Sequence, residues 1–231
     1  STIVQASEYS LLEVFLTCSE GRVSVEYSFA GDSPYEGTKC RTFLQVEPSY
    51  MNLTPGEFIE NLKAHCGDQE HSVDARSTPK FMSVDHGMGH DLVIKYDIVF
   101  PDQTRAYGPY ESSNLISLPG FLFVLPDRGG HDYDVQYVWQ LSDCLEGDWV
   151  SSHPTPIAKQ DVFMSDIMMW NKDAILCPSP QVPQAKVLLE GLSNKFDEYL
   201  VYTATTLNIA AQYFGSLPVS SVACIGYEGR T

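Results

Sequence analysis

The sequence predicts a mainly β protein: an antiparallel β-sandwich with one short helix, followed by a smaller α/β segment containing one long helix. Three observations predict it. Alternation of apolar and polar residues recurs through the first half. Prolines at 154, 156, 178, 180 and 183 then break up short apolar pieces. Beyond them a single long apolar-periodic stretch runs up to Gly215. The expected division is a sandwich over residues 1–152, with the proline-broken linker, strand, long helix and closing strand packed on it over 153–231.

In order, Leu11 to Thr17 and Arg22 to Phe29 read as a hairpin turning at Ser19, Glu20 and Gly21. In the second strand Val23, Val25, Tyr27 and Phe29 alternate with Ser24, Glu26 and Ser28, so one face is core and the other meets water. Further strands fit Phe43 to Val46, Leu92 to Phe100, Gly120 to Leu125 and Tyr133 to Leu141. The short helix is expected from Thr54 as N-cap, Pro55 at the first helical position and Glu57 completing a capping box, with Gly67 at its end. Phe58, Ile59, Leu62 and Cys66 would then share a face. Lys186 to Leu192 reads as a strand. Ser193 caps a helix from about Asn194 to Phe214, Gly215 closes it, and Val219 to Ile225 follows as a closing strand. Phe196, Leu200, Ala204, Leu207, Ala211 and Phe214 line one side of the helix.

The chain has 231 residues, 43% hydrophobic and 12% aromatic, enough for a substantial core. Fourteen basic residues against 30 acidic give −16, which repels phosphate backbones and anionic lipid, so neither nucleic acid nor a membrane is expected as a partner. No apolar stretch reaches the ~20 residues of a membrane span. Six dispersed cysteines form no Cys-x-x-Cys pair and are expected as reduced, buried thiols; the expected compartment is the cytoplasm.

Three stretches carry a family resemblance: Leu115 to Pro126, Lys186 to Leu192 leading into the helix, and Ala210 to Pro218, which reads Ala-Ala-Gln-Tyr-Phe-Gly-Ser-Leu-Pro. Together they resemble the N-terminal β-sandwich, and the start of the following domain, of the glycyl aminopeptidase family of zinc metallopeptidases. The resemblance implies that the catalytic helix with its two zinc histidines comes after the last strand seen here. The pentapeptide His-Glu-x-x-His is absent, and no zinc ligand carries over.

Local chemistry is sparse. Asp85, His86, His90 and Asp91 gather metal-ligating groups, but the glycines at 87 and 89 favour a turn over a ligating helix, and no metal or other cofactor is expected. In the stretch from Asp127 to Asp132, His131 beside Asp127 or Asp132 is the candidate acid/base. Nucleophile elbows, phosphate loops and dinucleotide fingerprints are missing. Aromatic and thioether residues crowd the middle of the chain, and Tyr107, Tyr110, Trp139, Phe163, Met168 and Trp170 are the candidate walls of an apolar pocket. The expected function is therefore a non-peptidase protein that binds or converts a small hydrophobic molecule by cyclisation or isomerisation. The alternatives are the N-terminal part of a longer zinc aminopeptidase, and a protein-interaction module.

Overall fold

The structure, a computed structural model, describes residues 11–19, 21–30, 40–47, 49–72, 81–86, 91–101, 107–127, 132–140, 147–174, 186–190, 195–215 and 221–225. Its strands are β1 (Leu11–Ser19), β2 (Arg22–Ala30), β3 (Cys40–Gln45), β4 (Ile59–Cys66), β5 (Gln69–Ser72), β6 (Phe81–His86), β7 (Asp91–Val99), β8 (Tyr110–Glu111), β9 (Leu115–Pro119), β10 (Leu125–Asp127), β11 (Asp134–Gln140), β12 (Trp149–Ser151), β13 (Ile157–Ala158), β14 (Asp166–Asn171), β15 (Lys186–Glu190) and β16 (Ser221–Ile225). Two α-helices accompany them, α1 (Lys159–Val162) and α2 (Phe196–Phe214). The chain divides into two compact units. One comprises residues 1–112, 116–146 and 151–169; the other comprises 113–115, 147–150 and 170–231. The expected boundary at 152/153 falls inside a stretch, 151–169, that belongs to the first unit.

In the first unit a seven-stranded sheet runs β13-β11-β1-β2-β7-β4-β5. The expected hairpin forms, with Phe15 opposite Glu26, Ser19 opposite Arg22, and Gly21 at φ 74° in the turn. The alternating pattern sorts the faces: Leu12, Val14, Leu16, Val23, Val25, Tyr27, Leu92, Ile94, Tyr96 and Ile98 are buried, while the side chains between them meet water or sit half-buried. β1 pairs with β11 in parallel, Leu12 opposite Val135 and Val14 opposite Tyr137, inside an otherwise antiparallel sheet.

A second sheet, β10-β3-β6, supplies the facing layer. Two tyrosines of the large sheet pin the backbone just before β10. Tyr27 donates its hydroxyl to the Val124 carbonyl at 2.6 Å, and the Val124 N–H donates to the Tyr96 hydroxyl at 3.2 Å. Both bonds are buried, so each polar end is satisfied where water cannot reach it. Phe123 packs its ring 5.1 Å from that of Tyr137. A third sheet runs β12-β14-β9-β8.

Two local expectations are corrected. The Thr54 signal makes a 3-10 turn, Pro55–Glu57, and then β4, in place of a helix reaching Gly67. The capping contacts exist: the Thr54 N–H donates to Glu57 Oε1 at 3.0 Å. Pairing with β7 wins beyond it, Ile59 opposite Ile98 and Cys66 opposite Leu92. Leu62, Ala64 and Cys66 fit a period of two as well as the longer apolar set fits a helix, so the neighbouring strand decides. A bulge between Glu60 and Lys63 absorbs the mismatch, with Asn61 at φ 54° bonded to Asp97 at 2.9 Å.

Gly120 to Leu125 is likewise no continuous strand. A 3-10 turn, Gly120–Leu122, separates β9 from β10. The Gly120 N–H donates to the Ser165 carbonyl at 2.7 Å, an approach that leaves no room for a side chain.

In the second unit β15 and β16 pair in parallel, Lys186 opposite Ser221 and Glu190 opposite Ile225. The 19-residue helix α2 lies between them in sequence and ends at Gly215 in the left-handed region, φ 72°, as expected. Its N-cap position is Lys195; Ser193 lies outside the described residues.

Candidate functional site

The loop expected to carry acid/base chemistry is described at its ends only. His131 lies outside the described residues. Asp127 ends β10, and its carboxylate stands 3.8 Å from the Lys159 ammonium. Lys159 opens α1, is largely buried, and lies 5.5 Å from the ring centroid of Tyr133. The Lys159 N–H donates to the Tyr133 carbonyl, and Tyr133 donates its hydroxyl to the Pro126 carbonyl at 2.8 Å. Asp127 thus sits in a polar knot that ties α1 to the ends of β10 and β11. Asp132 is exposed.

A second cluster, invisible to sequence reading, gathers Ser152, His153 and Asp166. Ser152 follows β12, and its N–H donates to the Met168 carbonyl of β14 at 2.8 Å. Its hydroxyl oxygen accepts the Met168 N–H at 2.9 Å, taking the place of a ladder carbonyl, and lies 2.7 Å from His153 Nδ1. A hydroxyl that donates to Nδ1 leaves the proton of a neutral imidazole on Nε2; the same hydroxyl also reaches the Asp166 carbonyl at 3.4 Å. Burial lowers the His153 pKa from its ordinary 6.5, and the Asp166 carboxylate partly opposes this. Asp166 is an exposed residue, and partial desolvation of its carboxyl raises it above 3.8 against the pull of His153. The result is a neutral imidazole at neutral pH, bonded to a hydroxyl and facing a carboxylate, which are the parts of a proton-holding site. No motif announces it. Twelve residues separate His153 from Asp166, and the pairing of β12 with β14 brings them together.

The six candidate pocket residues occupy different places. Tyr107 is 53% exposed and meets Tyr50 edge-on at 6.0 Å; Tyr50 in turn stacks on Phe121 at 5.9 Å. Tyr110 and Met168 are half-buried on β8 and β14, Phe163 is half-buried after α1, and Trp170 is buried. Trp139, on β11, lies opposite Leu16 of β1, its indole Nε1 buried and without a hydrogen-bond partner among the described residues. The Tyr137 hydroxyl, two residues earlier on the same strand, is also buried without a hydrogen-bond partner among the described residues. Burial raises the pKa of Tyr137 well above its ordinary 10.

Zinc, which the family resemblance implies, has no fitting site among the described residues. No group of three or more His, Cys, Asp or Glu comes together there. The stretch 87–90, with His90, lies outside the described residues, and His86 ends β6. No chemical step in this chain is assigned to a metal. Cys18 and Cys66 are buried thiols. Among the described residues no helix is long and apolar enough to cross a membrane.

These elements define a β-sandwich protein with an appended parallel strand–helix–strand segment. Over 92% of its length the chain is similar in structure to an aminopeptidase N family protein of Idiomarina loihiensis, with 10% identity, a TM-score of 0.53, and 38% of that chain covered. A looser likeness, at a TM-score of 0.43 and 10% identity, spans 94% of this chain and 28% of Legionella pneumophila aminopeptidase A, whose structure is a complex with aspartic acid. The chain therefore spans well under half the length of either protein, and the likeness to the Idiomarina protein is one of fold. No family description and no curated protein matches the sequence.

Proposed function

We propose that this chain is the N-terminal part of a longer aminopeptidase-like protein, a scaffold whose sandwich frames the substrate side of a hydrolytic centre carried elsewhere in the polypeptide. The observation that carries this reading is the agreement of fold across 92% of this chain with only 38% of the Idiomarina protein. The family resemblance read from residues 115–126, 186–192 and 210–218 points the same way. Zinc chemistry belongs to residues outside those described. The apolar-pocket reading, with its cyclisation or isomerisation, has no comparable support.

The test is the natural reading frame and its product. The frame is expected to continue into His-Glu-x-x-His, and the purified full-length protein to hold about one zinc and to release chromophore from aminoacyl anilides in a chelator-sensitive way. A frame that ends near Thr231, or a longer protein without the motif or the activity, overturns the reading.

A further inference from the structure

Helix α2 carries apolar or aromatic side chains on two of its sides. Its less exposed side carries Leu200, Ala204, Leu207 and Ala211, of which Leu207 is buried. Another stripe runs along it through Tyr199, Tyr202, Thr206, Ile209 and Tyr213, at steps of three, four, three and four residues. Every member is exposed, Tyr202 by 70% and Tyr213 by 83%. That alternation of three and four is the spacing with which one helix meets another along its length.

The polar content of the helix is arranged to match. From Tyr199 to Phe214 there is no charged residue; Asp197 and Glu198 in the first turn are the helix's only charges. Thr205 and Thr206 donate their hydroxyls to the Val201 and Tyr202 carbonyls four residues back, at 2.8 and 3.0 Å, so these polar atoms are satisfied within the helix. A solvent-facing helix normally carries charged and polar residues on its outer side, and an exposed stripe with four apolar or aromatic members out of five departs from that pattern. No described helix is long and apolar enough to cross a membrane.

We infer that the Tyr199–Tyr213 stripe is an internal packing face, covered in the intact protein by a helix from polypeptide following Thr231. This rests on the proposal that the chain is part of a longer protein. Two observations select this occupant. The Idiomarina protein of the same fold has 62% of its length uncovered by this chain, ample polypeptide for another layer. A second copy is a poor match, because each copy carries −16 and the stripe offers no cation to offset the repulsion.

The test uses the natural full-length protein with single substitutions Tyr202→Cys, Ile209→Cys and Met164→Cys, each treated with a maleimide and read by peptide mass mapping in native buffer and in urea. Met164, in the first unit and 80% exposed, is the solvent-facing reference. The expected result is near-urea labelling rates at Met164→Cys and at least roughly tenfold protection at both stripe positions. Stripe cysteines as reactive as the reference overturn the inference, whether or not the protein is an active aminopeptidase. Protection in a longer protein without peptidase activity overturns the proposed function and leaves the packing face standing. Protection that disappears on dilution to monomer, followed by analytical ultracentrifugation, assigns the stripe to a second copy and also overturns the inference.

Discussion

Replacing Gly120 with alanine tests how the β9–β10 turn is seated. A Cβ built on Gly120 falls 1.7 Å from the Val162 carbonyl oxygen and 2.7 Å from that of Ser165. An ordinary carbon–oxygen contact is about 3.3–3.6 Å, so the backbone must part by more than an ångström. Both obstacles are main chain, and no rotamer change relieves them. The movement opposes the 2.7 Å bond from the Gly120 N–H to Ser165 and strains the 3.1 Å bond from the Ser165 N–H to Val162. Overpacking costs about 1–3 kcal/mol, and a buried backbone group left unpaired costs about 1–3 more. The expected loss is thus about 2–6 kcal/mol against a total stability on the order of 5–15. At about 2–4 °C per kcal/mol for a chain of this size, the melting temperature falls by about 4–24 °C. Urea unfolding followed by tryptophan fluorescence, with thermal melts by circular dichroism, measures it. Gly21→Ala is the control: it meets nothing within 4 Å and bears only the left-handed backbone at φ 74°, about 1–2 kcal/mol. A Gly120→Ala protein within about 0.5 kcal/mol of the parent refutes the reasoning, as does a larger loss at Gly21.

The tyrosine hydroxyls separate made from unmade bonds. Tyr27→Phe strands the buried Val124 carbonyl and should cost about 1–3 kcal/mol in urea unfolding, whereas Tyr137→Phe removes a hydroxyl that has no partner among the described residues and should be neutral or stabilising. For His153 the folded pKa lies below the unfolded 6.5, so its stabilising contribution is present above about pH 6.5 and is lost as pH falls toward the folded value. Asp166 acts at lower pH: with its folded pKa raised above 3.8, its contribution is present below that value and is lost as pH rises through the folded pKa. Asp166→Asn removes the carboxylate that holds His153 up, and an imidazole titration followed by NMR should move lower still; an unchanged or higher midpoint contradicts the described pairing. Lys159→Met leaves Asp127 without its cation near β10. Stability at pH 7 should fall, by about 1 kcal/mol or more given the buried lysine stem, and part of the loss should be recovered in the double variant with Asp127→Asn.

What was legible in advance followed from local periodicity. The hairpin of β1 and β2, the strands β7 and β11, and the long helix ending at Gly215 each declare themselves, because alternation, turn residues and a C-terminal glycine act within a few residues of one another. The misread places are those where local signals compete with a distant partner. Thr54 to Glu57 does form its capping contacts, yet β7 claims the next eight residues as a strand. Gly120 reads as part of a strand until the Ser165 carbonyl draws it into a turn.

The candidate site shows the same division more sharply. The neighbours of Asp127 in sequence suggest acid/base chemistry, and the fold gives it Lys159 as a counter-ion. Ser152, His153 and Asp166 carry no signature, since their association depends on β12 lying beside β14. The sequence by itself determined the β-rich class, the acidic surface and the absence of the zinc pentapeptide, because composition and short-range pattern are properties of the chain. Only the tertiary structure decided which polar groups meet, because hydrogen bonds and ion pairs span a few ångströms in space and ignore separation along the chain.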